Sequence, residues 1–455
     1  MELKRFKDII AIRKPTSVDS FDSIVAFHAS NLEVAELSLE AFEAMQEISI
    51  TTDEQPHLTP HPLSDAYNAL NDWNEEPSST QLRSGRITSQ IKNLTINVSQ
   101  ICNLKCNYCS AGGDGTYGAP TLQISIEKTL PQISFFISRL PPQSTFSISF
   151  IGGEPLLYPH AIKAIYDYTV NLCLERGITS VFKIVTNGTL VSNSETISIL
   201  RTMKLDLTIS IDGTRDVNDL VRPSKDNNST TDKILEGLRL LNEDRGNISL
   251  IHFSAITSKH NTDITSNYLF LMSLNPDSVD FIFDNESFDD LLLEKFITEI
   301  NNVAKIAWQK GGERELRKIR TFDHYFSLLD GQQRVENHCG AGKTHLTIDA
   351  KNRLFSCVWD PNDLKTSVGQ HSQIEDSAIS KYSKSLIELN NCNSCWARYL
   401  CGGGCMYINN LHTGDKHNKS VSFCKKTRSL ILTTLIYYKI ARIEQQCSDT
   451  EGGIL

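Results

Sequence analysis

The hydrophobic pattern of the chain becomes regular near Ile91. From there, short apolar runs of strand-like composition alternate with longer stretches that place apolar residues at helical spacing. The strand-like runs are residues 94–98, 144–151, 180–185, 205–211 and 248–257, and the clearest helical stretches are 161–176 and 233–242. Repeated βα units of this length predict an α/β fold with a parallel sheet, open or curled into a barrel.

The N-terminal region has a different pattern. Residues 23–28 predict a strand, and the Ser30-Asn31 pair that follows predicts a turn. Apolar residues then recur mostly at helical spacing, which predicts a helix over residues 33–48. We therefore expect residues 1–50 to form a small folded unit. Residues 51–88 are rich in Thr, Pro, Ser, Asn and acidic residues, and this composition predicts a linker.

Polar motifs follow the predicted strands at their carboxyl ends, where parallel α/β folds place their chemistry. Taken singly, a Gly-Gly, Asn-Gly or Asp-Gly pair is typical of a tight turn. Together the motifs place a carboxylate (Glu154), an amide (Asn187) and a hydroxyl (Ser210) at one edge of the sheet. Such a set suits a zwitterionic ligand that carries a ribose.

Three cysteines, Cys102, Cys106 and Cys109, follow the first strand of this sheet with C-x3-C-x2-C spacing. A structural zinc site needs four ligands. A cubic iron–sulfur cluster has four irons, so three cysteines leave one iron open for a substrate or cofactor. The spacing therefore predicts a catalytic cluster, with a zinc knuckle or chance clustering of cysteines as the alternative.

The other cysteines are also grouped. Of the 12 cysteines, seven lie between Cys339 and Cys424, and Cys173 and Cys447 stand alone. Disulfides are rare in cytosolic proteins, so ten clustered cysteines indicate metal.

Composition argues against certain classes of binding partner. The net charge of −9 disfavours a nucleic-acid binder, which needs a basic face. No secretory signal opens the sequence, and the apolar run at residues 430–438 is too short to cross a bilayer. We therefore expect a cytoplasmic enzyme with no nucleic-acid or membrane partner.

Residues 91–300 resemble the radical SAM superfamily. The resemblance implies a partial (β/α)6 TIM-type barrel in which Cys102, Cys106 and Cys109 hold a [4Fe–4S] cluster that binds S-adenosylmethionine (SAM). Reductive cleavage of SAM would give a 5′-deoxyadenosyl radical that abstracts a hydrogen atom. The resemblance also implies a set of SAM-contacting residues: Tyr108, Gly152, Gly153, Glu154, Asn187, Ser210 and Arg222. The stretch Asn218-Asp-Leu-Val-Arg222 ends at the arginine of this set. The family often has a histidine just before the aspartate of this stretch, and this chain has Asn218 there, which leaves the role of that position open.

The C-terminal cysteines resemble the seven-cysteine SPASM domain, in which Asn352 replaces the usual glycine. By that resemblance Cys339, Cys357 and Cys405 would hold one auxiliary [4Fe–4S] cluster. Cys392, Cys395, Cys401 and Cys424 would hold another, which makes three clusters in all. The implied organisation is a possible peptide-recognition unit (1–50), a linker (51–88), a radical SAM core (89–310), a SPASM domain (311–430) and a C-terminal helix and tail (431–455).

SPASM proteins of this layout mostly modify peptides, so the expected substrate is a ribosomally made precursor peptide with a leader. The expected reductant is a flavodoxin or ferredoxin. A carbon–carbon or thioether crosslink is the first expectation, which the glycine-rich residues 110–118 support, and epimerisation is an alternative.

Formylglycine formation, as in anaerobic sulfatase maturases, is a second alternative. That group has an aspartate directly after the cysteine matched by Cys357. Here the nearest aspartate is Asp360, three residues after Cys357, and it is the candidate base. An electron-transfer or redox-sensing protein is the alternative from another class.

Overall fold

The computed structural model describes residues 2–13, 24–51, 65–78, 80–82, 90–109, 123–226, 228–284, 286–287, 289–370 and 373–451 of the 455-residue chain. The glycine-rich residues 110–118 lie outside this part. Among the described residues, no helix is both long and apolar enough to span a membrane.

The strands in chain order are β1 (Glu2–Phe6), β2 (Ile9–Arg13), β3 (Ile24–His28), β4 (Glu33–Leu37), β5 (Gln46–Glu47), β6 (Gln81–Leu82), β7 (Asn93–Ser99), β8 (Thr145–Gly152), β9 (Thr179–Thr186), β10 (Asp206–Ser210), β11 (Leu250–Thr257), β12 (Ser278–Phe283), β13 (Gln333–Arg334), β14 (His345–Ile348), β15 (Arg353–Phe355), β16 (Ser367–Gln370) and β17 (Gln373–Ile374).

The helices are α1 (Leu39–Glu43), α2 (Asp65–Glu75), α3 (Ile126–Ile137), α4 (Pro159–Glu175), α5 (Ser194–Arg201), α6 (Arg215–Val221), α7 (Thr230–Glu243), α8 (Ile264–Ser273), α9 (Asp290–Leu316), α10 (Arg320–Asp330), α11 (Asp376–Ile379), α12 (Leu386–Leu389), α13 (Arg398–Cys401), α14 (Met406–Thr413) and α15 (Val421–Glu451). Non-helical backbone at Gly311 and Gly312 divides α9 into two segments.

The chain divides into two compact units. The first contains Met1–Arg86, Phe288–Cys339 and Lys384–Leu455, and the second contains Ile87–Ser287 and Gly340–Ser383.

The second unit is built on a ten-stranded sheet of order β12-β11-β10-β9-β8-β7-β14-β15-β16-β17. Its first seven strands, β12 to β14, run parallel to their neighbours. The predicted strands and the α/β class are confirmed, and closure into a partial barrel stays a prediction. The sequence did not predict β14, which pairs with β7 although some 250 residues separate the two.

Apolar and polar residues alternate along β7, β8 and β10 of this sheet. In β8, Phe146, Ile148 and Phe150 are fully buried, whereas Ser147 and Ser149 between them are only partly buried. This alternation arises because successive side chains of a strand point to opposite faces. The helices cover the apolar side, so the polar side and the strand ends are left for chemistry.

The N-terminal part of the first unit carries a five-stranded antiparallel sheet of order β4-β3-β2-β1-β5. The helix predicted over residues 33–48 forms only at Leu39–Glu43. Glu33–Leu37 pairs with β3 as strand β4, and Gln46–Glu47 pairs with β1 as strand β5. Tertiary pairing overrides the helical spacing there. Within the predicted linker, α2 packs against the core of the sheet through Leu70, and Tyr67 meets Phe6 edge to face.

Candidate active site

The three cysteines of the first motif lie in the loop that follows β7. The backbone of this loop is held on two sides. On one side, Gly153 N donates to Ser99 O at 2.7 Å and Glu154 N donates to Ile101 O at 2.9 Å. On the other, Lys105 N donates to Pro223 O and Asn107 N donates to Val221 O, at the C-terminal end of α6, each at 2.9 Å. The positions of the thiols therefore depend on two segments far away in sequence.

Gly152 and Gly153 admit the cysteine loop. A Cβ on Gly152 would lie 2.3 Å from Ser99 O, and one on Gly153 would lie 2.3 Å from Ile101 O. Gly152 also has a backbone φ of +147°, which residues other than glycine rarely adopt. The structural role of both glycines is thus to let the loop backbone pass, and direct contact with SAM stays a prediction.

Substitution of Gly153 by alanine should displace the cysteine loop. We expect a loss of about 1–3 kcal/mol of folding free energy from overpacking and a marked fall in iron bound after reconstitution. Gly177→Ala is the matched control. Its φ of +64° gives strain of about 1–2 kcal/mol, but its Cβ would meet nothing nearer than Pro142 at 3.9 Å. Equal iron content in the two variants would contradict this role of Gly153.

Glu154 is fully buried and its carboxylate is fixed by three donors. Oε1 accepts from Thr186 Oγ1 at 2.6 Å and from Leu156 N at 2.9 Å, and Oε2 accepts from Asn187 N at 2.8 Å. Burial raises the pKa of Glu154, and the three hydrogen bonds oppose that rise. Because a carboxylate can accept about four hydrogen bonds, Oε2 keeps capacity for a further donor such as an amino group.

Tyr108, Asp212 and Arg222 form a buried network beside the cysteine loop. Tyr108 donates its hydroxyl hydrogen to Asp212 Oδ2, and Arg222 Nη1 donates to the Tyr108 hydroxyl at 2.5 Å. Arg222 Nη1 also lies 3.6 Å from Asp212 Oδ2. Burial raises the pKa of Asp212, and the Arg222 guanidinium opposes that rise. The arginine predicted to pair with SAM is therefore held by an internal carboxylate.

One atom of this network has capacity to spare. Arg222 Nε is buried and has no hydrogen-bond partner within the part of the chain that the structure describes. A buried donor without a partner is costly, and a carboxylate acceptor from a bound ligand would relieve that cost. Together with Glu154 Oε2, this donor fits the amino and carboxylate groups of SAM.

Asn218 has the role that the sequence left open. Its Oδ1 accepts from Asp212 N at 3.0 Å, and its Nδ2 donates to Thr230 Oγ1 at 3.2 Å and to Thr231 Oγ1 at 3.0 Å. The side chain is fully buried. Asn218 thus fixes the turn after β10 and positions Asp212.

Asn187 and Ser210 occupy the strand ends expected of them. Asn187 Nδ2 donates to Asn103 Oδ1 at 2.8 Å and lies 3.7 Å from Cys102 Sγ, so the amide contacts the cysteine loop. Ser210 ends β10 in register with Ser254 of β11 and is partly buried. Contact of either residue with a ribose stays a prediction.

Sequence reasoning had interpreted Asp212 only as part of a turn and had missed Asn103 and Thr186. Asp212 comes two residues after the end of β10, and Thr186 is the last residue of β9, directly before Asn187, so position at a strand end was the available signal. Asn103 had no signal beyond its place between two cysteines.

Burial changes the pKa of thiols in the cysteine loop. It raises the pKa of the Cys106 thiol to about 11, and Arg222 opposes that rise. Iron binds thiolate, so cluster assembly must release these protons. None of the cysteines whose side chains the structure describes forms a disulfide.

Four cysteines of the C-terminal group line one cavity in the first unit: Cys392, Cys395, Cys401 and Cys424. Burial and the neighbouring thiols raise the pKa of Cys424 to about 12. Across the described residues, no three His, Cys, Asp or Glu side chains are placed as ligands of one metal ion. These four thiols are the ones that the SPASM resemblance assigns to one cluster, and that assignment stays a prediction.

The remaining three cysteines divide between the units. Cys339 and Cys405 belong to the first unit and Cys357 to the second, so their grouping stays a prediction. Asn352, which replaces the glycine of the SPASM pattern, has a φ of +63°, as expected of a residue that tolerates a left-handed turn. Its Nδ2 donates to Thr129 Oγ1 at 2.8 Å.

Asp360, the candidate base, is buried next to two hydroxyl groups. Ser356 Oγ donates to Asp360 Oδ2 at 2.7 Å, and Tyr382 OH donates to Ser356 Oγ at 2.7 Å. The carboxylate is therefore the acceptor end of a short hydroxyl chain that could carry a proton.

Comparison with known proteins agrees with this geometry. Residues 96–256 match the sequence profile of the Radical SAM superfamily. The chain is 24% identical over 368 residues to the radical SAM cyclopropyl synthase TigE of Paramaledivibacter caminithermalis, covering 75% of this chain and 73% of TigE. It is 22% identical over 337 residues to the serine-type anaerobic sulfatase-maturating enzyme of Klebsiella pneumoniae, covering 68% of this chain and 80% of that enzyme.

The fold resembles the crystal structure of Streptococcus suis SuiB bound to the precursor peptide SuiA. The TM-score is 0.51 at 16% sequence identity, and the alignment covers 92% of this chain and 99% of SuiB. At this identity the likeness shows a shared fold. A radical SAM domain implies SAM and one [4Fe–4S] cluster as cofactors. The chain is therefore identified as an enzyme that contains a radical SAM domain.

Proposed function

We propose that this enzyme is a radical SAM peptide maturase whose catalytic cluster is held by Cys102, Cys106 and Cys109. The observation that carries the proposal is the placement of these thiols beside a buried carboxylate and a buried guanidinium, Glu154 and Arg222, at the carboxyl ends of parallel strands. When bound, the cluster and SAM supply a 5′-deoxyadenosyl radical for hydrogen abstraction from the peptide.

The residues of the chain bind, orient and shield in this proposal. Glu154 Oε2 accepts from the SAM amino group, and Arg222 Nε donates to the SAM carboxylate. Tyr108, Asp212 and Asn218 hold Arg222 in place through the hydrogen bonds described above. Asn187 and Ser210 face the ribose.

We assign two auxiliary [4Fe–4S] clusters to the C-terminal cysteines. The shared cavity supports a cluster on Cys392, Cys395, Cys401 and Cys424. Only the resemblance to the SPASM domain supports another on Cys339, Cys357 and Cys405. These clusters would relay an electron, with a flavodoxin or ferredoxin as the external reductant.

We further propose that the N-terminal sheet binds the leader of the precursor. Strand β4 lies at the edge of its sheet, and an exposed edge can accept a further strand from a peptide. A groove beside it is lined by β4, by Ala41 of α1 and by three residues of α2, namely Ala69, Leu70 and Trp73. Glu33 and Glu36 also line it, so it suits an extended segment with apolar and basic residues.

Filling this groove should block leader binding. We expect Ala69→Trp to weaken binding of the precursor about tenfold or more, because the added ring occupies space that the peptide needs, while SAM cleavage stays unchanged. Ala69 is exposed, so little stability should be lost. Binding would be measured by fluorescence anisotropy of a labelled precursor.

Asn68→Trp is the matched control, since it places the same ring at the neighbouring exposed position, on another face of α2. Equal affinities of the two variants would exclude this groove. Point variants are preferable to deletion of residues 1–50, because the deletion would also remove Asp8, which forms a bidentate ion pair with Arg398.

The proposed activity is tested by anaerobic reconstitution followed by incubation with SAM and dithionite. Formation of 5′-deoxyadenosine is expected, and its absence would leave only an electron-transfer or redox-sensing role. The mass of a precursor peptide after co-expression distinguishes the chemistries. A loss of two hydrogens per site means crosslinking or oxidation, and an unchanged mass means epimerisation. Conversion of a serine or cysteine to formylglycine in a sulfatase substrate would favour the alternative that the enzyme is an anaerobic sulfatase maturase.

Asp360 is the candidate base for crosslinking of a precursor peptide and for formylglycine formation. We expect Asp360→Asn to slow peptide modification on the order of 100-fold, a usual contribution of a general base, while 5′-deoxyadenosine formation continues. Asp363→Asn, which changes an exposed carboxylate three residues away, is the control. Undiminished modification by Asp360→Asn would remove Asp360 from the mechanism.

A further inference from the structure

Arg428 of α15 connects the four-cysteine cavity to the N-terminal part of the first unit. Its side chain is 2% exposed. One terminal nitrogen, Nη2, donates to Cys395 Sγ at 3.5 Å, and the other, Nη1, donates to Ile50 O at 2.8 Å. A single guanidinium thus bridges a proposed cluster ligand and the backbone that follows β5.

A second guanidinium from the N-terminal sheet reaches the same cysteine loop. Arg5 of β1 is fully buried, and its Nη2 donates to Ser394 O at 2.6 Å, next to Cys395. The positive charge of Arg5 acts on Cys395 and opposes the rise in the pKa of that thiol. Burial lowers the pKa of Arg428 to about 10, and the positive charge of Arg5 contributes to that fall.

Arg398 makes a third connection. It lines the cavity and donates to Asp8 Oδ2 at 2.5 Å and to Ser30 Oγ at 2.8 Å, and both acceptors lie in turns of the N-terminal sheet. Two buried cations and one ion pair therefore join this sheet to the segment that carries the four cysteines.

We propose that Arg428 is a positioning residue that raises the reduction potential of the cluster on Cys392, Cys395, Cys401 and Cys424 and links that potential to the N-terminal sheet. The inference rests on the proposed cluster assignment. A reduced cluster carries one more negative charge, so a cationic donor to a ligand sulfur stabilises the reduced state. Because Nη1 of the same side chain binds Ile50 O, displacement of that backbone alters the contact with Cys395.

The test is a redox titration of the full-length, reconstituted enzyme, followed by electron paramagnetic resonance (EPR). Arg428→Gln should shift the potential of one auxiliary cluster to a more negative value, and Arg5→Gln should shift the same cluster in the same direction. Lys439→Gln is the control. It removes one positive charge from the same helix, 11 residues away, which is about 16 Å along the axis. An unchanged potential in Arg428→Gln with its clusters intact would overturn the proposal.

A second measurement uses the wild-type protein, so it does not depend on whether a variant folds. In wild-type enzyme labelled with ¹⁵N-arginine, the reduced auxiliary cluster should show ¹⁵N hyperfine coupling, and absence of that coupling would also overturn the proposal. Iron analysis separates this outcome from failure of the cluster assignment. If Cys401→Ser binds as much iron as wild type, the four-cysteine cluster is wrong and this inference falls with it, whereas 5′-deoxyadenosine formation reports separately on the catalytic cluster.

Discussion

Replacement of Cys102 by serine is expected to abolish SAM cleavage and to remove about four irons per chain, the content of one cubic cluster. The reason is geometric, since the loop offers only three thiols and cannot replace one of them from within. Replacement of Cys401 should remove a similar amount of iron but leave 5′-deoxyadenosine formation in place. Modification of the peptide would still be lost if the auxiliary cluster relays an electron.

The control for both cysteine variants is Cys173→Ala. Cys173 is a buried thiol of α4, outside the cysteine groups, and its only proposed role is packing. This variant should keep its iron and both activities. Loss of SAM cleavage in Cys401→Ser to the same extent as in Cys102→Ser would contradict the division of labour between the two groups.

Arg222→Gln is expected to lower the free energy of unfolding by about 3–5 kcal/mol, because it leaves the buried carboxylate of Asp212 without its positive partner. The loss should become smaller as the pH is lowered, because protonation of Asp212 removes the uncompensated charge. SAM affinity should fall as well. Urea denaturation of the full-length protein at several pH values measures the first effect, and equilibrium binding measures the second.

A surface pair provides the comparison. Arg245 lies 3.1 Å from Asp277, and both side chains are about one-third exposed. Arg245→Gln should therefore cost about 0–1 kcal/mol. The double variant Arg222→Gln/Asp212→Asn should recover part of the stability lost by Arg222→Gln alone. No recovery would mean that Arg222 acts mainly through Tyr108 or packing.

Local patterns predicted much of the second unit. Five strands and the helices between them follow from apolar runs and helical spacing, which depend on residues near one another in sequence. The motif cysteines and Glu154 were also predicted, because their spacing is itself local. The roles of Gly152 and Gly153 were not, since the atoms that exclude a Cβ belong to a loop some 50 residues earlier.

The N-terminal region shows where local pattern fails. Residues 33–37 have helical spacing, yet they form β4 because β3 offers a partner with complementary register. In the same way α2 lies in a stretch whose composition predicts a linker, and the apolar surface of the sheet stabilises it.

The sequence by itself determined the α/β class, the two cysteine groups and the strand-end positions of the site residues. Only the tertiary structure decided that Arg222 is held by Asp212 and Tyr108, that Asn218 positions Asp212, and that Arg428 joins Cys395 to the N-terminal sheet. The physical reason is that periodicity fixes which face of an element is apolar. The partner of a buried charge depends on which distant segments the fold brings together.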